Sequence, residues 1–345
     1  MRPSSWLLLL TAVLGIGLFL VMFVWPPELK PWHYAVWPKV YLPQAADRAL
    51  PLPVPAESQR LEMVFVGDIM LARDVERTIV ANGPAWPMAK LGEVFSGADL
   101  VLGNLESTVR PTRNLEVVNQ MTFDTTPDNL EILKHSGFTH LSLANNHSDD
   151  FGAQVTLETR QAVIEAGFTA LGDPAESEMF IARENLNGLS VSIVGYHAFG
   201  DDLDQIIEAV TAEERQGRFV IVYPHWGPEY VEVATDNQVS AAELLVAAGA
   251  DLIVGAHPHV IQNYQLIENT PVVYSLGNFL FDQDFSLATQ QGLILKVSLT
   301  PDLLELNFVP ISIANRQAVP LTGLEAQAVL TAHGLGNGNF QITLE

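Results

Sequence analysis

An α/β layered fold is predicted from residue 61 onward, and three features of the chain predict it. Short runs rich in Val, Ile and Leu recur, amphipathic stretches separate them, and a glycine closes each of the clearest stretches. The apolar runs read, in order, as strands "LEMVFVGD", "ADLVLGNLE", "THLSLANNH", "LSVSIVGYH", "RFVIVYPHWG", "ADLIVGAHPH" and "PVVYSLGNFLF". Their near-continuous apolar character is that of strands buried on both faces. The stretches "PDNLEILKHSG", "QVTLETRQAVIEAG" and "NQVSAAELLVAAG" read as helices. Gly137, Gly167 and Gly249 end them, as helix C-caps commonly do, and Pro127 suits a first helical turn. After residue 290, "GLILKVSLTPDLLELNFVPISIAN" reads as strands with little helix between them, a hairpin or a second sheet completing the same domain.

Two segments precede this domain, which spans 61–345. Residues 1–25 hold the uninterrupted apolar run Trp6–Trp25. Such a run matches the roughly 20 residues that cross a bilayer. It is longer than a signal-peptide core, no small-residue cleavage site follows, and tryptophans flank it, so it reads as an uncleaved transmembrane signal-anchor. Arg2 favours an internal N-terminus, with the main domain extracytoplasmic on a single-pass membrane protein, although Lys30 and Lys39 oppose that bias. Residues 26–60 carry Pro26, Pro27, Pro31, Pro38, Pro43, Pro51, Pro53 and Pro55, the composition of an extended, semi-rigid linker.

Composition excludes several classes. The 345 residues contain no cysteine, which rules out disulfides, thiolate metal sites, iron–sulfur clusters and a cysteine nucleophile. A formal net charge of -23 argues against nucleic acid as a partner. An anionic substrate would need local positive charge, such as a bound metal. Neither a G-x-S-x-G elbow nor a P-loop is present.

Polar residues gather where the strands end. Asp68 ends the first; Asn104 and Glu106 end the second; Asn145, Asn146 and His147 end the third; His225 ends another; His257 and His259 close "GAHPH". Ligands of α/β sheets bind outside the carboxyl ends of strands, and carboxylate with imidazole suits a divalent ion such as Zn, Mn or Fe. Each residue alone has a plainer reading: Asp68 as a turn residue, "NNH" as a loop, His225 as a core-edge histidine. In extended geometry His257 and His259 would point to one side and converge. His33, His135, His140, His197 and His333 lie outside this set and receive no role.

The segments "VGDIMLARDV", "GADLVLGNLES", "LANNHSDDFG", "YPHWGPEY", "GAHPHVIQ" and "YSLGNFLFDQ" together resemble the CapA family of poly-γ-glutamate or capsule synthesis proteins, in the same order over most of 61–285. That family is similar to the calcineurin-like metallophosphoesterases. The resemblance implies a two-sheet α/β sandwich of metallophosphoesterase type and a dinuclear metal site. It implies Asp68 on the first metal and Glu106 as bridging carboxylate. Asn146, His225 and His257 would serve the second metal, and His259 the first. His147 would be the general acid, with Asn104 an additional ligand or a supporting amide and Asn145 a supporting or substrate-contacting amide. Where phosphoesterases carry a histidine two residues after the first aspartate, this chain has Met70, so the first metal lacks one ligand. Arg73 would steady an anionic substrate or else be a solvated surface residue. Two functions follow. One is a membrane-anchored, metal-dependent hydrolase of the phosphoesterase type in capsule or poly-γ-glutamate biosynthesis or export, acting on a phosphoester or an anionic polymer. The other is a non-catalytic polymer-binding accessory to further subunits of a synthesis complex.

Overall fold

The computed structural model describes residues 59–111, 121–172 and 181–344. The expected anchor and all but the last two residues of the linker lie outside the described residues. Among the described residues no helix is long and apolar enough to cross a membrane.

In chain order the strands are β1 (Leu61–Ile69), β2 (Leu100–Leu105), β3 (Thr108–Val109), β4 (Asp124–Thr125), β5 (His140–Ser142) and β6 (Thr169–Leu171). They continue as β7 (Ile181–Leu186), β8 (Leu189–His197), β9 (Phe219–His225), β10 (Leu252–Val254), β11 (Tyr264–Ile267) and β12 (Thr270–Val273). The last are β13 (Asn278–Leu280), β14 (Gln291–Leu299), β15 (Leu303–Ile313), β16 (Ala318–Pro320) and β17 (Asn339–Thr343). One sheet runs β16-β15-β14-β1-β2-β5-β6, with β13 also on β1 and β17 also on β15. A second runs β11-β12-β10-β9-β8-β7, and β3 pairs with β4 apart from both.

Alternation along the strands explains why two sheets stack. Met63 and Phe65 of β1 join Ile221 and Tyr223 of β9 and Val254 of β10 in one apolar layer between the sheets. Their neighbours Val64 and Val66 turn outward, onto the layer formed with helices Arg73–Asn82, Pro127–His135 and Ala153–Glu165. On the far side Val220 and Val222 meet helices Leu203–Glu214 and Asp236–Ala247. The result is helix, sheet, sheet, helix. Strands buried on both faces are what the continuous apolar runs require.

The structure refines several sequence expectations. The helices expected before Gly137, Gly167 and Gly249 are present, and all three glycines have positive φ, of 99°, 91° and 105°. Helices Arg73–Asn82, Leu203–Glu214 and Gly323–Ala332 are additional to those read from sequence. The strands after residue 290 extend the first sheet by antiparallel pairing of β14 with β1. "PVVYSLGNFLF" divides into β12 and β13, which pair in different sheets. Of "ADLIVGAHPH", only Leu252–Val254 is strand.

The side chain of Asp251, just before β10, accepts a hydrogen bond from the Val220 amide at 2.7 Å. Burial raises its pKa from 3.8 to about 6, the Val220 bond opposing and the charge of Glu214 adding to the rise. A carboxyl with a raised folded pKa favours folding below about pH 4, and that contribution is lost as pH rises through 6. Asp251→Asn keeps an acceptor without the charge. The variant is expected to be more stable than the parent at pH 7, by on the order of 2 kcal/mol, with the gap closing toward pH 4. Urea denaturation at both pH values measures this, and a gap independent of pH would refute it.

Candidate metal centre

The site forms where the carboxyl ends of β1, β2 and β5 meet those of β8, β9 and β10. Its first residue is positioned by an irregularity. The pairing of β1 with β2 shifts between Phe65 and Asp68, and its pairing with β13 shifts between Asp68 and Ile69. A bulge of this kind re-aims the side chain that follows it. Gly67 permits the close approach, since a Cβ there would stand 1.8 Å from the Gly277 carbonyl oxygen. Asp68 is thereby fully buried, its oxygens accepting the His257 backbone amide at 3.1 and 3.3 Å.

The second shift also decides the fate of Met70. Its side chain is fully buried in the layer under the helices, where its sulfur accepts the Ala72 amide at 3.0 Å. Met70 therefore does not face the site.

Asn104, opposite Asp68 in the β1–β2 register, ties the centre together. Its Nδ2 donates to Asp68 Oδ1 at 2.8 Å and Glu106 Oε2 at 3.3 Å, and lies 3.2 Å from His225 Nδ1. Its own oxygen accepts Asn145 Nδ2 at 3.0 Å. The turn after β5 is closed by Asn145, whose Oδ1 accepts the His147 amide at 3.1 Å. Asn146 Oδ1 meets His225 Nε2 at 2.8 Å. His147 Nδ1 lies 3.0 Å from Asp150 Oδ2, and its ring stacks on Phe123 with centroids 3.9 Å apart. Asp150 is itself fixed by the Phe123 amide at 2.7 Å. His147 Nε2 consequently faces Glu106 Oε1, at 3.8 Å.

His257 and His259 converge, but not by extended geometry. Both have left-handed φ, of 97° and 58°, in the loop after β10. Non-glycine residues in that region are strained, and they cluster at functional sites. The His225 and His257 rings stand 4.5 Å apart. His259 reaches the other way: its Nδ1 contacts Asn278 Oδ1 at 3.0 Å and Asp68 Oδ2 at 3.3 Å, and its Nε2 lies 3.5 Å from Glu106 Oε1. Arg73 pairs with Asp282 and sits over the Phe123 ring at 4.6 Å. With its side chain 17% exposed it is not a solvated surface residue, and Phe123, which it covers, is the ring on which His147 stacks.

Electrostatics follow from burial. At Asp68 burial favours the neutral acid, but the hydrogen bond and charge of His259 and the Asn104 donor outweigh it and lower the pKa. Glu106 is raised well above the usual range by burial, with Asp68 adding and His259 opposing. Burial and the neighbouring imidazoles hold His225 well below its ordinary value and His257 at about 4. Burial opposes a charge on His259 too, yet Glu106 and Asp68 push it to about 9.

Asp68, Glu106 and His225 each offer a ligand atom within 4.8 Å of the other two. Glu106 Oε1 and His257 Nδ1 are buried without a hydrogen-bond partner among the described residues. Carboxylate and neutral imidazole are the donors that fit a divalent ion such as Mn, Zn or Fe. Three neighbours were not legible as site residues. Asn278 lay inside the quoted "YSLGNFLFDQ" and Asp150 inside "LANNHSDDFG". His197 ends β8 as His225 ends β9, the two in register, and its strand-end position was the available signal.

The family model described as "Bacterial capsule synthesis protein PGA_cap" matches residues 62–283, a span that contains every residue of the site. Capsule biosynthesis protein CapA of Bacillus anthracis is 30% identical over 290 residues, covering 77% of this chain and 71% of its own. PGA biosynthesis protein CapA of Bacillus subtilis is 28% identical over 253 residues, covering 68% and 67%. A probable polyglutamine synthesis accessory protein of Mycobacterium tuberculosis is 25% identical over 279 residues, covering 71% and 73%.

Asn104→Leu keeps the volume and removes the shared donor from two buried carboxylates. The metal-free protein is expected to lose about 2–4 kcal/mol of stability. Denaturation in the presence of a chelator measures the loss, and a change below about 0.5 kcal/mol would show that Asn104 is not the tie described.

Proposed function

The chain belongs to the bacterial capsule synthesis protein PGA_cap family, and from that premise we propose that it works in capsule or poly-γ-glutamate biosynthesis or export as a metal-dependent hydrolase of the phosphoesterase type. The observation that carries this reading is the convergence of Asp68, Glu106 and His225 in a buried cluster where, among the described residues, Glu106 Oε1 and the nearby His257 Nδ1 have no hydrogen-bond partner. We further propose two divalent ions. His259, Asp68 and Glu106 would hold one, and Glu106, Asn146, His225 and His257 the other. Bound ions supply Lewis acidity and a water-derived nucleophile at neutral pH.

The protein's own residues supply the rest. The paired carboxylates and the neutral His225 and His257 rings form the cation cage. Asp150 orients His147, so that its Nε2 faces the centre, where the protonated ring could donate to a departing oxygen. Asn104 and Asn145 keep the carboxylates and the His147 loop in place. The apolar run Trp6–Trp25 would tether this domain to the outer face of the membrane, near other synthesis subunits.

A second reading is a non-catalytic, polymer-binding accessory. Met70 favours it, because no side chain at that position completes the first ion's shell. The name of the mycobacterial relative also describes an accessory protein.

The full-length chain in detergent, stripped and then incubated with Mn, Zn or Fe(II), is expected to retain divalent metal and to unfold at higher temperature when loaded. His257→Ala and His257→Gln should bind less. His147→Ala should keep its metal and lose about 100-fold or more of its turnover of p-nitrophenyl phosphate. A parent that holds metal but turns over no phosphoester, with His147→Ala supporting normal polymer production, would establish the accessory reading. A folded parent that takes up no metal would refute both metal-based assignments.

A further inference from the structure

His197 is 7% exposed, and neither of its ring nitrogens has a hydrogen-bond partner among the described residues. A buried imidazole without a partner is costly, and native proteins retain few such groups without a reason. Its main chain is fixed. The His197 amide donates to Asp201 Oδ2 at 2.6 Å, and its carbonyl accepts the amides of Gly200 and Asp201. On the Nδ1 side stands Gly200, so close that a Cβ there would be 2.8 Å from that nitrogen. Nε2 is thus the nitrogen left to meet something that enters the site.

The position of the ring says what it would meet. His197 is opposite His225 in the β8–β9 register, with ring centroids 6.1 Å apart. Phe199 lies beside three imidazoles at once, 5.7 Å from His197, 6.4 Å from His225 and 4.7 Å from His257. The His197 ring nevertheless stands farther from His225 than His257 does, at 6.1 Å against 4.5 Å. It borders the cage without completing it.

We propose that His197 is a positioning residue that donates a hydrogen bond from Nε2 to an oxygen of the anionic group held at this centre, a phosphoryl or carboxylate group. Phe199, beside the same three imidazole rings, flanks this contact. This rests on the reading of the centre as a metal site, and extends it to a residue that lies outside the cage.

The test measures binding of inorganic phosphate to the full-length chain by calorimetry, with and without Mn, beside the metal content of each sample. The variants are His197→Phe, which keeps the ring volume, and His197→Gln, which keeps a donor. Removing a hydrogen bond to a charged group is expected to weaken phosphate binding about tenfold or more in His197→Phe. His197→Gln should recover most of that loss, and the metal content of both variants should equal the parent's. Equal phosphate affinity in parent and His197→Phe would overturn the assignment. So would loss of metal in the variants, which would make His197 a ligand, and so would a metal-loaded parent that binds no phosphate. A metal-free parent that still binds phosphate through His197 would sustain the contact while removing the metal centre. A parent that binds neither would remove both.

Discussion

Two carboxylates with no access to solvent lie side by side at the ends of β1 and β2, and much of the site follows from that juxtaposition. Asp68 and Glu106 cannot both be ionised in a buried place unless positive charge or strong donors compensate them. The protein supplies part of that compensation. One amide, from Asn104, donates to both carboxyls, and His259 stands between them with its charge favoured. Glu106 still titrates well above its usual range, and among the described residues one of its oxygens accepts no hydrogen bond. The side chains alone leave the cluster short of positive charge, which is the property expected of a cage for a divalent cation.

Neutrality of the other two histidines belongs to the same balance. His225 and His257 are buried at 4.5 Å from each other, so neither readily accepts a proton. Neutral imidazoles are the form in which nitrogen lone pairs are free to bind. Without a bound ion, His259 therefore neutralises carboxylates while His225 and His257 keep their electron pairs free; an ion held by His259 would take the place of its proton. His147 is set apart from both roles by Asp150 and by stacking on Phe123, which hold its ring at the margin.

Backbone irregularity makes this clustering geometrically possible. Regular strands would send Asp68 and Met70 to one side, yet the pairing shift after Asp68 puts Met70 in the core. Regular extension would send His257 and His259 to one side as well. The left-handed turns at both residues instead aim one ring at His225 and the other at Asn278 and Glu106. Only glycine permits the approach of neighbouring chains that supports these shapes. At Gly67 and at Gly255 a Cβ would fall within 2.0 Å of a backbone oxygen.

The sequence by itself determined the layered architecture, because continuous apolar runs and glycine-capped amphipathic stretches admit few other burials. It also determined which polar groups collect at strand ends, since chain position alone places Asp68, Glu106, His147, His225, His257 and His259 after apolar runs. It did not reveal Asn278 or Asp150, whose roles depend on partners 19 and 3 residues away and not on their own neighbours. Nor did it draw His197 into the strand-end set, although His197 ends a strand as visibly as His225. Tertiary structure decided the rest. Which sheet each half of "PVVYSLGNFLF" joins, where Met70 points, and that Arg73 answers to Asp282 all depend on register and bulges. Those are set by contacts between segments far apart in the chain, and a side-chain direction reverses with a single residue of shift.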